Sequence, residues 1–253
     1  MNLPPLFGSH FPSFLKDSFQ DKIDIYWYHP EFSQSRYPPG QEISEACTLI
    51  CILVAQRIAR SGLIIWKVET CPELNVLIAE AIVEGNATHD WIVKKALVPH
   101  PYLNTEEALK FGRKSLYVLK EWKFRIFHDD IGSSLYPNIM SFLYKWNADP
   151  KSDNLFMLLI TCGRTILLIF QQQTFKVTLF DSHGHSTNEY PQRGLVVAQV
   201  DTDNLHILCN WYVNTVLHEC YNAQANQYEL AFLYPKNSLC ECQGYYKNYT
   251  HDN

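Results

Sequence analysis

Phe175-Lys176-Val177-Thr178-Leu179-Phe180-Asp181-Ser182-His183-Gly184 is the stretch on which the fold turns. Phe175, Val177, Leu179, Asp181 and His183 alternate, so the spacing predicts a strand whose core-facing side ends in a carboxylate and an imidazole. A carboxylate beside an imidazole fixes the ring tautomer and stabilises the imidazolium, the state that pairs with a thiolate. Gly184 lets the chain turn and another backbone approach.

Outward from this stretch the periodicity is that of a sheet. Leu155 to Ile160, Thr165 to Phe170, Phe175 to Asp181 and Leu195 to Val200 read as strands, the first two joined across Cys162-Gly163, with Gln171-Gln172-Gln173 as a hairpin turn. A helix is expected over about 203–218 and a last strand over Tyr228 to Tyr234. Upstream the pattern is helical. Cys47, Ile50, Cys51, Val54 and Ile58 recur at helical spacing, with Ser44 as cap and Gly62 after the last turn, which predicts a helix over about 45–60. A second helix is expected over 72–84, opening on Pro72 and closing on Gly85, and a third over 105–121 with Asn104 as cap and Glu107 three residues on. Helices first and consecutive strands afterwards mean an α+β fold. The expected organisation is a proline-broken extended lead-in over 1–40, one α+β domain over 41–236 and a tail over 237–253.

Composition bounds the function. A chain of 253 residues, 47% hydrophobic and 19% charged, is long enough to bury a core without disulfides or metal. A net charge of -5 and a pI near 6.0 offer no broad basic face for phosphate backbones or anionic lipid, so neither nucleic acid nor membrane is an expected partner. Lys94-Lys95 and Arg113-Lys114 read as solvated clusters. No apolar run reaches the roughly 18 residues of a membrane span, and Met1 to Gln20 does not read as a secretory signal, so a cytosolic or nuclear location is expected. The eight cysteines are then free thiols, most of them small core residues.

A reactive cysteine belongs in the first turn of a helix, where the dipole favours thiolate and unpaired amides can meet an oxyanion. With Ser44 as cap, Cys47 falls at the third helical position. Glu42 and Glu45 oppose this, because negative charge raises a thiol pKa.

A glutamine-to-cysteine segment opening a helix, followed about 130 residues later by Phe180-Asp181-Ser182-His183-Gly184 at a strand end, resembles the deubiquitinating cysteine proteases at the amino end of herpesvirus large tegument proteins. The similarity runs from Gln34 to Tyr234, although Ile43-Ser44-Glu45-Ala46 stands where that family carries a small-residue turn. The resemblance implies a papain-like fold, with helices carrying the cysteine packed on a mostly antiparallel sheet carrying the Asp-x-His. It implies Cys47 as nucleophile, His183 as general base and acid, and Asp181 as orienting carboxylate. It also implies an oxyanion-hole glutamine, either Gln34 or Gln41, thirteen and six positions before the cysteine. It further implies no cofactor, and ubiquitin, a ubiquitin-like modifier or a peptide tail as partner.

Two rival readings use the same residues. Asp181, His183 and His185 offer a carboxylate and two imidazoles to a metal, with Cys240 and Cys242 as further candidate ligands. Alternatively the fold serves as a protein-binding module without turnover. His89-Asp90, His128-Asp129-Asp130, His206 and His218 read as loop, cap or helix residues rather than as a site.

Overall fold

The computed structural model describes residues 12–112, 114–186 and 192–236, with only the backbone considered at 114 and 115. Cys240, Cys242, Arg113 and the expected tail lie outside the described residues.

The α+β class holds. The described strands are β1 (Phe14–Phe19), β2 (Ile23–Tyr28), β3 (Leu119–Phe127), β4 (Asn154–Thr161), β5 (Arg164–Gln171), β6 (Lys176–Asp181), β7 (Val196–Asp201) and β8 (Tyr228–Pro235). They form one sheet in the order β1-β2-β7-β6-β5-β4-β8-β3, with every neighbouring pair antiparallel. The helices are α1 (Cys47–Ser61), α2 (Pro72–Lys94), α3 (Thr105–Phe111), α4 (Ile131–Ala148) and α5 (Leu205–Trp211), the last continuing as a π-helical stretch, Tyr212–Cys220.

The sheet is buried on both faces, so its central strands are apolar nearly throughout instead of alternating. Phe156, Leu158, Leu167, Ile169, Phe180 and Val197 face a core shared with α1 and α2. Met157, Ile166, Leu168, Val177, Leu179 and Val196 face a second core with α4 and α5. Both cores meet at the carboxyl end of β6, where the sheet opens: β6 stops at Asp181, while β5 begins further out at Arg164.

Several boundaries differ from the sequence reading. Residues 14–28 are not a lead-in outside the domain but two strands of the sheet; Pro12 and Pro30 flank them and do not interrupt them. Phe175 is not in β6. It sits in the β5–β6 turn with φ of 53° and is exposed. Gly85 does not end α2, since an added Cβ there would lie 2.5 Å from Ile50 Cγ1, and the glycine lets α1 and α2 touch. The helix runs on to Lys94 and closes where Ala96 turns left-handed (φ 50°). The third helix ends at Phe111, although its Asn104–Glu107 capping box forms as expected, and residues 119–127 become β3. Ser44 does not cap α1; Ala46 holds that place, so Cys47 is the first helical residue. Gly62 closes α1 as expected, left-handed at φ 66°.

Gly194 fixes the loop that leads into β7. A Cβ there would sit 2.1 Å from the His29 carbonyl oxygen and 2.5 Å from that of Phe32, both backbone atoms. Gly194→Ala is therefore expected to destabilise the protein by about 3 kcal/mol, as severe overpacking does. A denaturant unfolding midpoint that matches the wild type would show that this loop yields.

Candidate active site

Cys47 lies at the first position of α1, where the amides of the opening turn have no intrahelical acceptor. It is 5% exposed and lines a cleft of about 450 Å³ together with Gln34, Glu45, Arg164 and His183. The His183 imidazole hydrogen-bonds the Cys47 sulfur. On its other side, His183 Nδ1 lies 2.6 Å from Asp181 Oδ1, and a nitrogen facing a carboxylate must carry the proton. The backbone N–H of His183 donates to the same oxygen at 3.0 Å. The structure thus joins Cys47, His183 and Asp181 in one chain of contacts.

The route to this arrangement differs from simple alternation along a strand. Asp181 pairs with Val196 and faces the second core, on the far side of the sheet from α1. Because β6 ends there, Ser182 and His183 leave the ladder, and the bend carries the imidazole around the sheet end to the sulfur. Ser182 is anchored on both sides: its carbonyl accepts from the Gln34 N–H at 2.8 Å, and its hydroxyl donates to Gln34 Oε1 at 2.7 Å.

Protonation follows from these contacts. Burial pushes the Asp181 carboxyl up, but the charges of His183 and His185 and their hydrogen bonds hold it well below the usual carboxylate range. For His183 burial acts downward and is outweighed by the Asp181 charge and hydrogen bond and by Cys47, which raise it to about 9. Burial alone would raise the Cys47 thiol; the hydrogen bond and charge of His183, then Thr165, bring it below its ordinary value. The groups acting on the thiol are these, while Glu45 borders the cleft.

Of the two glutamines, Gln34 lines the cleft; its amide donates to the Ser44 carbonyl at 2.9 Å. Gln41 instead turns its amide onto Ile43 at 2.9 Å, outside the cleft lining. Ser44, expected as a cap, bonds Asn86 at 2.6 Å and so ties the segment before Cys47 to α2. Sequence reasoning missed Thr165 and Tyr221. Thr165 contacts Cys47 from β5, with its hydroxyl 2.8 Å from that of Thr48. Nothing in a strand of apolar residues singles it out beyond being polar and 1% exposed.

Among the described residues, no group of three or more His, Cys, Asp or Glu side chains is arranged to hold a metal. His185 lies near Asp181 but not in a regular strand continuation, and both its ring nitrogens are engaged, at 2.8 Å with the Gly194 carbonyl and at 3.2 Å with Asp181 Oδ2. Asp130 caps α4 and His89 bonds the Pro101 carbonyl, both structural roles. Cys162 lies on the β4–β5 turn, as the Cys162-Gly163 reading expects, and is exposed. Among the described residues no helix is long and apolar enough to cross a membrane.

No protein-family model matches the chain, and no curated protein matches it. Among solved structures, the chain is similar to the ubiquitin-specific protease encoded by murine cytomegalovirus tegument protein M48, solved in complex with a ubiquitin-based suicide substrate. The identity is 14% and the TM-score 0.49, over 81% of this chain and 84% of that one.

His183 binds its proton more tightly in the folded protein than a free imidazole, whose ordinary value is 6.5. Its contribution to stability is therefore complete below about pH 6.5 and is lost as the pH rises through about 9. Thermal midpoints are expected to fall across that window in the wild type and to fall less in His183→Gln. Parallel curves for the two proteins would show that His183 is not held as its contacts imply.

Proposed function

We propose that the chain is a papain-like cysteine peptidase or isopeptidase that acts on ubiquitin or a ubiquitin-like modifier. The observation that carries the reading is the continuous contact from Cys47 sulfur through His183 to a buried Asp181, at the end of a cleft. The choice of modifier rests on the resemblance of the Gln34-to-Cys47 and Phe180-to-Gly184 segments to the tegument deubiquitinases.

In this reading the Cys47 thiolate attacks the carbonyl carbon of the scissile amide, and the oxyanion that forms is met by the Cys47 N–H at the helix start and by the Gln34 side-chain amide. The His183 imidazolium gives its proton to the leaving amine, which departs and leaves a thioester on Cys47. Neutral His183 then takes a proton from water as it attacks the thioester; the acid product leaves and the thiolate–imidazolium pair is restored. Asp181 keeps the ring oriented and stabilises its charged form.

A ubiquitin probe with a thiol-reactive carboxyl terminus is expected to give one adduct, on Cys47, by mass spectrometry. Cys47→Ser should give none, and Asp181→Asn should react about 10²- to 10⁴-fold more slowly. A wild-type protein left unmodified by this probe and by probes built on ubiquitin-like modifiers would remove the modifier assignment.

The thiol chemistry has its own test. At pH 6.5 iodoacetamide is expected to modify Cys47 faster than Cys162, although Cys162 is exposed and Cys47 is not. Cys51, which burial and the neighbouring Cys47 and Asp181 push well above the ordinary thiol range, should stay unmodified. Loss of the Cys47 preference in His183→Ala would confirm the pairing; its persistence would mean that the helix start alone activates the thiol.

A further inference from the structure

Oδ1 of Asp181 serves His183, and the other half of the carboxylate is held by residues that the triad does not include. Oδ2 lies 3.0 Å from the Tyr221 hydroxyl and 3.2 Å from His185 Nε2, and the hydroxyl itself lies 2.8 Å from that nitrogen. His185 cannot swing away: Nδ1 donates to the Gly194 carbonyl at 2.8 Å, and its ring stands edge-on to Trp27, with centroids 5.2 Å apart. Tyr221 follows the π-helical stretch directly, and its backbone N–H reaches back five residues to Val216 at 3.2 Å. Such stretches are rare and cluster at functional sites. Arg164, which lines the cleft, lays its guanidinium 3.7 Å from the centre of the Tyr221 ring. A carboxylate bonded through one oxygen pivots about its own axis, whereas one gripped through both does not.

We propose that Tyr221 and His185 are positioning residues for the reaction: by gripping Oδ2 they fix the plane of the Asp181 carboxylate so that Oδ1 holds His183 against Cys47. The assignment rests on the proposed thiol chemistry of Cys47. Tyr221 carries the larger share that can be tested, because Tyr221→Phe removes a single hydroxyl and keeps the ring on which Arg164 lies. His185 is wholly buried, and His185→Asn serves only as a supporting variant, read where it folds.

The experiment measures the iodoacetamide rate of Cys47 at pH 6.5 in wild type, Tyr221→Phe, Asp181→Asn and the double variant, with thermal midpoints alongside. Tyr221→Phe is expected to slow Cys47 about tenfold, the loss of one charge-assisted hydrogen bond, with its midpoint within a few degrees of the wild type. Placed on Asp181→Asn it should change the rate less than about twofold, because a residue acting through Asp181 has nothing left to act on. A merely structural hydroxyl would slow both backgrounds by the same factor, and that result, or a Tyr221→Phe rate equal to the wild type, overturns the assignment while leaving the triad intact. A wild-type Cys47 no faster than Cys162 overturns the catalytic reading and this assignment with it.

Discussion

A wholly buried carboxylate at the end of β6 is the constraint around which this site is built. An ion of that size moved out of water loses several kcal/mol of solvation even after relaxation, so Asp181 persists as an anion only where donors surround it. Three donate to it, the His183 amide, the His183 imidazole and the Tyr221 hydroxyl, and His185 Nε2 packs 3.2 Å from its second oxygen. Meeting that demand dictates much else. Strand β6 must stop so that the chain can bend its own amide back; Gly194 must lack a Cβ so that the neighbouring loop can close under His185; the helix after α5 must widen into a π turn before Tyr221.

The same demand explains where the cleft lies. Asp181 looks into the core beneath α4 and α5, whereas Cys47 belongs to a helix packed on the opposite face. The two can be joined only beyond the last rung of β6, so the site sits at the sheet end and not on a face. There Gln34 takes over the role of a missing ladder partner for Ser182 and lines the cleft, which Gln41 does not.

What was legible in the sequence is what short-range pattern encodes. The runs of β4, β5 and β8, the Cys162-Gly163 turn, the close of α1 at Gly62 and the opening of α2 at Pro72 are written in local composition. The rest depended on tertiary partners. Gly85 reads as a helix stop and is instead a crossing point, since the chain shows the missing Cβ but not the Ile50 that fills the space. Strand β3 is an exposed edge rich in Lys120, Lys123 and Arg125, charges that protect an open edge and erase the alternation by which a strand is recognised. Helix α4 carries Pro137, which argues against any helix, and is kept by the apolar face of Ile131, Leu135, Ile139, Phe142 and Trp146. Cys47, Asp181 and His183 stood out because Asp-x-His and a cysteine near a helix start are local; Tyr221 and Thr165 come from elements that nothing in the sequence brings together.

Cys47 and Cys51 separate the causes of thiol activation. They lie one turn apart on the same helix and are both buried, yet Cys47 is lowered and Cys51 raised well above the ordinary range. A helix terminus contributes about 0.3–1 kcal/mol and fades over the first turn. Burial of a charge costs several times that, so the dipole cannot make the difference alone. Opposite unit charges about 4 Å apart attract by roughly 4 kcal/mol at an effective dielectric near 20, so an imidazolium in contact with the sulfur is on the scale needed to outweigh burial at Cys47. Thr165 divides the two cysteines in the same sense. Its backbone N–H donates to Cys47, while its carbonyl accepts from Cys51 at 3.4 Å. Because β6 has ended, these backbone groups of β5 face thiols in place of a neighbouring strand. One residue therefore favours the anion at the first cysteine and the protonated thiol at the second, and the break in the ladder that lets His183 cross the sheet end also frees Thr165 to treat Cys47 and Cys51 differently.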